Sequence, residues 1–513
     1  MLGRRDPQRS FFGAASQVEE GSLEKLGFYG KLSTEGPKVF RDEDFAAAYC
    51  RDNGRPSVPP SILAMARLLQ HYEGISDEEV VERCRYDLRW KVALDLDPLS
   101  VAAPFAKSTF QGFRARLTVH EKEGLIFEKS VEAAREAGLL PRQLRLALDS
   151  SPVRGRGAVK DTFNLISDAI KAVVRSVSAS GQRQAQEVAE EAGLERHVEA
   201  ASIKGSEVVE WEDTESVAQF LRGLLEDAEK AVTLAKEAGC GSEEAALLRK
   251  IVMQDVDQEG QSPEIRRGVA KARTVSVSDP EMRHGRKSSG STYTGHKAHV
   301  AVEIKSSVIT AVAAGAPGEA DGARVKSLVE QSEQSTGHKV EQALGDCAYS
   351  SREAAKQAAE VGVDLKTKMP KPRKGFFGSQ EFKVSEETGE AHCPAGQPSS
   401  EQSPLHPKGS VPGLNHRWSE QQCGSCPLKE LCTPGKRRSL FVPVDFHQRR
   451  QREEYARSEE GRRLLRRRVV VEHAIAKLKN LGAGAARYFG REKTKTQWQW
   501  SAAVLNFRLV WFC

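Results

Sequence analysis

The chain has 513 residues, of which 39% are hydrophobic and 29% charged, and carries a net charge of +6. Such a composition suits a soluble globular protein of about two to four domains. No apolar run is long enough to span a bilayer and the opening residues lack a long apolar signal region, so a membrane partner is excluded and a cytoplasmic, nucleoid-associated protein with reduced or metal-bound cysteines is expected.

Residues before about 40 carry no clear pattern. From 42 to 119 the pattern is helical. Pro59-Pro60 opens a helix over Ser61–Gln70. Ser76-Asp-Glu-Glu79 is a capping-box start for a second helix, and Ser108 is placed to cap a third through Phe110, Phe113 and Leu117. This block, residues 40–120, reads either as a helix-turn-helix-like DNA binder or as a plain helical bundle.

Leu144–Asp149 alternates as a half-buried strand should, with Asp149 at its end and a turn-rich loop over 150–157. A helix follows from Asp161 to about Ser176. Residues 181–265 then hold 20 acidic and 8 basic residues, a net charge near −12 that leaves the remainder near +18. That stretch is helix-rich and reads as an insertion, bounded at 181–280. The basic remainder suits a polyanionic partner.

Strand pattern returns at His296–Glu303 and Val308–Val312, a hairpin. His296 and His299 fall on opposite faces of such a strand and make a poor metal pair. A helix from about Asp321 to Glu330 leads to a short strand, Val340–Asp346. Asp346 repeats the situation of Asp149, an acid at a strand end before a small-residue turn. A helix from about Arg352 and a strand over 363–368 follow. Residues 371–440 are rich in Gly, Pro, Ser and Lys and hold Cys393, Cys423, Cys426 and Cys432. One Cys-x-x-Cys knuckle with two outlying cysteines suits a tetrahedral structural Zn²⁺. Ordinary reduced thiols, or a redox or iron–sulfur role, are the alternatives.

Near the end, Arg462–Asn480 is amphipathic at about 100° per residue. Leu464, Val471, Ile475 and Leu478 form an apolar stripe. Arg468, Glu472, Lys479 and Leu465 line the adjoining edge. The segment from Lys436 to Arg468 holds 12 basic and 5 acidic residues, which suits a polyanionic partner, though a solvated surface alone would give the same excess.

The order of elements is that of an RNase H-like fold. The predicted class is α/β: an RNase H-like mixed sheet flanked by helices, with an N-terminal helical domain and two insertions. Its catalytic parts lie at 140–180, 290–370 and 455–513. In such a fold two strand-end aspartates and a helical glutamate converge on two divalent ions, an all-oxygen ligand set that suits Mg²⁺ or Mn²⁺.

These segments resemble the DDE transposases of bacterial insertion sequences. More narrowly, they resemble the branch with a Tyr-x2-Arg-x3-Glu-x6-Lys signature. Arg468, Glu472 and Lys479 match at the family spacing, while Leu465 stands in the tyrosine position. Gly-Asp346-Cys-Ala-Tyr349 resembles the second-acid segment, and Leu-Asp149-Ser-Ser the first. The helical block at 42–119 and the cysteine-bearing segment resemble parts of the same proteins. The resemblance implies that Asp149, Asp346 and Glu472 are the catalytic metal ligands and that Arg468 and Lys479 contact DNA phosphates. It also implies a homo-oligomer that binds inverted-repeat ends and joins them to target DNA. A decayed DNA-binding relic or repressor, and an RNase H-like nuclease without strand transfer, are the competing readings.

Overall fold

A six-stranded mixed sheet runs through the centre of the computed structural model, which describes residues 1–6, 13–18, 20–51, 53–260, 262–288, 290–370, 376–407 and 411–512. The strands are β1 (Gln143–Arg154), β2 (Arg283–Ser288), β3 (Ser291–Glu303), β4 (Ile309–Gly315), β5 (Lys339–Gly345) and β6 (Asp364–Thr367). β3 lies antiparallel to β1 on one side, and antiparallel to β2 and β4 along successive stretches of its length. On the other side of β1, β5 and then β6 run parallel. The spatial order is therefore β4-β3-β1-β5-β6, with β2 extending the β3 edge. The expected hairpin is the β3–β4 pair, and the two expected short strands are β5 and β6.

The sheet is buried on both faces, which explains the nearly unbroken apolar runs in β3 and β4. Helices Val325–Thr336, Val469–Leu478 and Arg491–Phe512 pack on its strands. Val471, Ile475 and Leu478 of the predicted stripe lie fully inside this core. Each such side chain contributes roughly 1.5–3 kcal/mol of burial.

The Arg491–Phe512 helix serves two cores. Trp498 faces the sheet, while Trp500, Val504, Phe507 and Trp511 enter the core of the N-terminal bundle. On this helix Asn506 accepts from the Ile309 backbone N–H at 2.9 Å and donates to the Ile309 carbonyl at 2.9 Å, satisfying the outer edge of β4. The bundle begins earlier than the sequence pattern shows, with a helix at Phe28–Val39. The Ser76/Glu79 capping box forms as expected. Ser108 is not a cap: the Lys107–Val119 helix starts after Ala106, which makes no side-chain bond.

The Thr162–Ser180 helix was expected beside the sheet. It packs instead against Thr214–Glu237 and Ser242–Asp255 in a separate helical core. The cysteine-bearing segment contains a three-stranded antiparallel sheet (401–405, 413–417 and 439–443) over a small core of Phe382, Ala391, Trp418, Cys423, Cys432 and Leu440. Among the described residues no helix is long and apolar enough to cross a membrane.

Candidate active site

Strand register assembles the site. In the parallel pairing of β1 with β5, Ala147 lies opposite Leu344. Asp149 and Asp346 each follow two residues later, so they stand level and on one side of their strands. Asp346 leaves β5 as expected, its carboxylate accepting from the Ala348 backbone N–H at 2.8 Å. Asp149 does not end its strand. β1 continues through Ser150 to Arg154, paired with β3. Because β5 stops at Gly345, this extension lacks a strand partner on its outer side until Arg154 bridges to Ala485, and along that open edge Pro152 is tolerated.

The third acid arrives on the Val469–Leu478 helix, which packs on β1 and β3. Arg468, just before that helix, is 5% exposed. Its guanidinium donates to Asp149 Oδ2 at 2.9 Å and to Glu472 Oε1. The side chain expected on a DNA phosphate thus bridges two of the three acids. Lys479 lies one helical face further on, half-buried, and its ammonium pKa is lowered by burial and by Lys287 while Asp149 opposes the shift.

Burial raises the pKa of the Asp149 carboxyl, and the nearby Asp346 adds to the shift. The Ser150 backbone N–H and Arg468 act against it without cancelling it. Tyr349, three residues after Asp346, is fully buried, and its hydroxyl has no hydrogen-bond partner among the described residues. Its phenol pKa is raised well above the ordinary value by burial and by Asp321, Asp149 and Asp346. Among the described residues no group of three or more His, Cys, Asp or Glu side chains is arranged as a ready-made metal cage, which accords with an arginine between Asp149 and Glu472.

Leu465 was expected on the same edge as Glu472. It is 3% exposed, a packed side chain. The ideal wheel fails because the helix is interrupted: Glu459–Arg466 ends, Arg467 and Arg468 form a turn, and the next helix starts at Val469. The sequence marks Asp321 only as the start of a helix. Its carboxylate instead accepts from Ser150 Oγ and Lys297 Nζ, both at 2.9 Å, directly behind Asp149. His299 faces the same carboxylate, and His296 pairs with Asp279 at 2.9 Å, so the two histidines do point apart.

In the cysteine segment, Cys423 and Cys432 are buried and Cys393 and Cys426 partly so. Burial raises the Cys432 thiol pKa, Arg438 opposes the shift, and Cys423, Cys393 and Cys426 add to it. The other three thiols lie within electrostatic reach of Cys432, and Cys393 packs against the core that holds Cys423 and Cys432, although the four are not set as a metal cage.

Two families match. A family described as "Transposase DDE domain" covers residues 392–511, which include Arg468, Glu472, Lys479 and the four cysteines. A second, "Transposase domain (DUF772)", covers residues 29–116, the greater part of the N-terminal bundle. The chain is also 34% identical over 97 residues to the "Uncharacterized protein ORF8 in nfe locus" of Rhizobium meliloti, a match over 19% of this chain and 46% of that relative. The chain thus spans less than half the length of the curated relative it matches. No solved structure matches. A transposase domain thus matches over the N-terminal bundle and a transposase DDE domain matches through the Glu472 helix, so the chain carries two segments similar to domains of DDE transposases.

Proposed function

We propose that the chain binds the terminal inverted repeats of its insertion sequence as a homo-oligomer, hydrolyses the ends and joins them to target DNA. Its sheet would be the RNase H-like catalytic fold of that reaction. The strand order and the mixture of parallel and antiparallel neighbours support this. The observation that carries the reading is the β1–β5 register, which sets Asp149 level with Asp346 while Arg468 ties Asp149 to Glu472.

The donor set fits Mg²⁺ or Mn²⁺: three carboxylates, with Asp346 near enough to Asp149 to raise its pKa. Two such ions, when bound, activate the attacking water or 3′-hydroxyl and stabilise the leaving oxygen. Asp149, Asp346 and Glu472 would hold them. Arg468 reaches a strand phosphate only by leaving its carboxylates, and a bidentate grip then fits a guanidinium. Lys479 and Lys287 add positive charge beside Asp149 for the DNA backbone.

A nicking assay on end DNA with Mg²⁺ or Mn²⁺ tests the reading. Metal-dependent nicking followed by joining of 3′ ends to a plasmid is expected. Binding without nicking would point to a non-catalytic repressor, and nicking without joining to a nuclease. End binding should weaken steeply with salt, with a log–log slope of several units in magnitude.

The thiols of Cys393, Cys423, Cys426 and Cys432 support a structural Zn²⁺. The surrounding core is small, so a metal there would contribute folding energy directly. Purified protein should carry about one zinc per chain. Cys426→Ser should lower that content and open residues 376–443 to protease. A metal-free protein that resists protease equally would reject the zinc.

A further inference from the structure

The turn Asp321–Arg324 braces both aspartate-bearing segments, although neither the signature residues nor their spacing point to it. On one side Asp321 Oδ2 accepts from Ser150 Oγ at 2.9 Å. Ser150 in turn donates its backbone N–H to Asp149 Oδ1 at 2.8 Å. That N–H is available because β5 has already ended and β1 has no partner strand on that side. The other oxygen, Asp321 Oδ1, accepts from Lys297 Nζ at 2.9 Å. Lys297 is itself fixed by a second bond to the Glu319 carbonyl at 2.8 Å. His299 Nδ1 lies 4.0 Å from the same oxygen.

On the other side, Gly322 lies against the start of the Arg352–Glu360 helix that follows Asp346. A Cβ at Gly322 would come within 2.5 Å of Ser351 Oγ and 2.8 Å of the Ala354 Cβ. Ser351 caps that helix. The turn is thus in contact with the segment after Asp346 through Gly322 and with the segment holding Asp149 through Asp321.

From this geometry we infer that Asp321 is a positioning residue for Asp149: by holding the Ser150 hydroxyl it fixes the backbone N–H that orients the Asp149 carboxylate. The inference rests on Asp149 being a metal ligand. Asp321 touches no reacting atom. Its carboxylate is committed to Ser150 and Lys297, behind the strand that presents Asp149. Groups that hold a metal-binding carboxylate in place typically change metal affinity by 10- to 100-fold when removed. The expected effect of losing the Ser150–Asp321 bond is at the lower end of that range, because the Ser150 backbone N–H remains.

Mn²⁺ binding to the full-length protein without DNA, followed by electron paramagnetic resonance, tests this independently of turnover. Asp149→Ala should abolish specific binding. Ser150→Ala, which removes only a hydroxyl, should weaken it about tenfold with an unchanged melting temperature. Ser150→Thr, which keeps the hydroxyl, should restore it. Asp321→Asn should weaken binding at least as much as Ser150→Ala, and the double variant should be no worse than Asp321→Asn. Wild-type affinity in Ser150→Ala, with binding lost in Asp149→Ala, would overturn the positioning role alone. Binding retained in Asp149→Ala would overturn the metal-ligand reading and this inference with it.

Discussion

Asp77 in the N-terminal bundle and Asp149 in the sheet are both substantially buried aspartates in contact with arginine, and their surroundings act on them in opposite directions. Asp77 accepts from Arg67 at 2.9 Å, Gln70 at 2.9 Å and Arg114 at 3.1 Å. Burial alone would raise its pKa, but these partners more than offset it and hold the carboxyl well below the usual range. Asp149 has one arginine, shared with Glu472, and a second acid close by, and its pKa stays raised. The bundle satisfies its buried acid within the fold. In the sheet, burial and the nearby Asp346 outweigh the partners of Asp149, so that carboxyl stays raised.

The largest effect should come from the three acids proposed to hold metal. Alanine at Asp149, Asp346 or Glu472 should lower Mg²⁺-dependent nicking by about a thousandfold or more, and double variants should be no worse than singles. Melting temperature should hold. Asp149→Asn should raise it, since a raised pKa means the fold disfavours the charged form. Stability from that residue falls as pH climbs past the ordinary aspartate range. A large drop in melting temperature with Asp149→Asn would erase the contrast with Asp77.

At Asp77 the sign reverses. Its pKa is depressed, so its stabilisation is complete above the unfolded value of about 3.9 and is lost only as pH falls through the lower folded value. Asp77→Ala should cost about 3–5 kcal/mol at neutral pH, because Arg67, which is wholly buried, loses its ion-pair partner. Chemical denaturation at pH 7 measures it. A loss below about 1 kcal/mol would put this pair with exposed ones.

Much of the sheet was legible because β3, β4 and β5 carry plain strand patterns, and Asp346 sits where a strand-end acid was expected. The strand carrying Asp149 was read as ending there, whereas it runs on to Arg154. Ser-Ser-Pro looks like a turn, and only the absence of β5 beyond Gly345 makes Pro152 acceptable in an edge. Leu465 was misplaced because a wheel assumes an unbroken helix, and nothing in the arginine run marks the turn at 467–468. Asp321 was overlooked since its partners, Ser150 and Lys297, are distant in sequence and no local spacing announces them.

Leu465→Tyr gives a smaller and sharper test of that phase. With Leu465 packed, a phenol there should overfill its site and cost about 1–3 kcal/mol without improving cleavage. Raised cleavage at unchanged stability would restore the exposed-edge reading. Smaller still is Asp161→Ala. Asp161 caps the Thr162–Ser180 helix through the Phe163 and Asn164 N–H groups, so its loss should cost about 1 kcal/mol and leave nicking unchanged.

The central claim is that Asp149, Asp346 and Glu472 share one metal site although they lie far apart in the chain. Replacing the metal with Fe²⁺ and generating hydroxyl radicals cuts the backbone near the bound ion. Mapping those cuts should give scission around residues 149, 346 and 472 together, with all three suppressed by excess Mg²⁺. Cuts confined to one of these segments, or cuts that Mg²⁺ does not suppress, would contradict it.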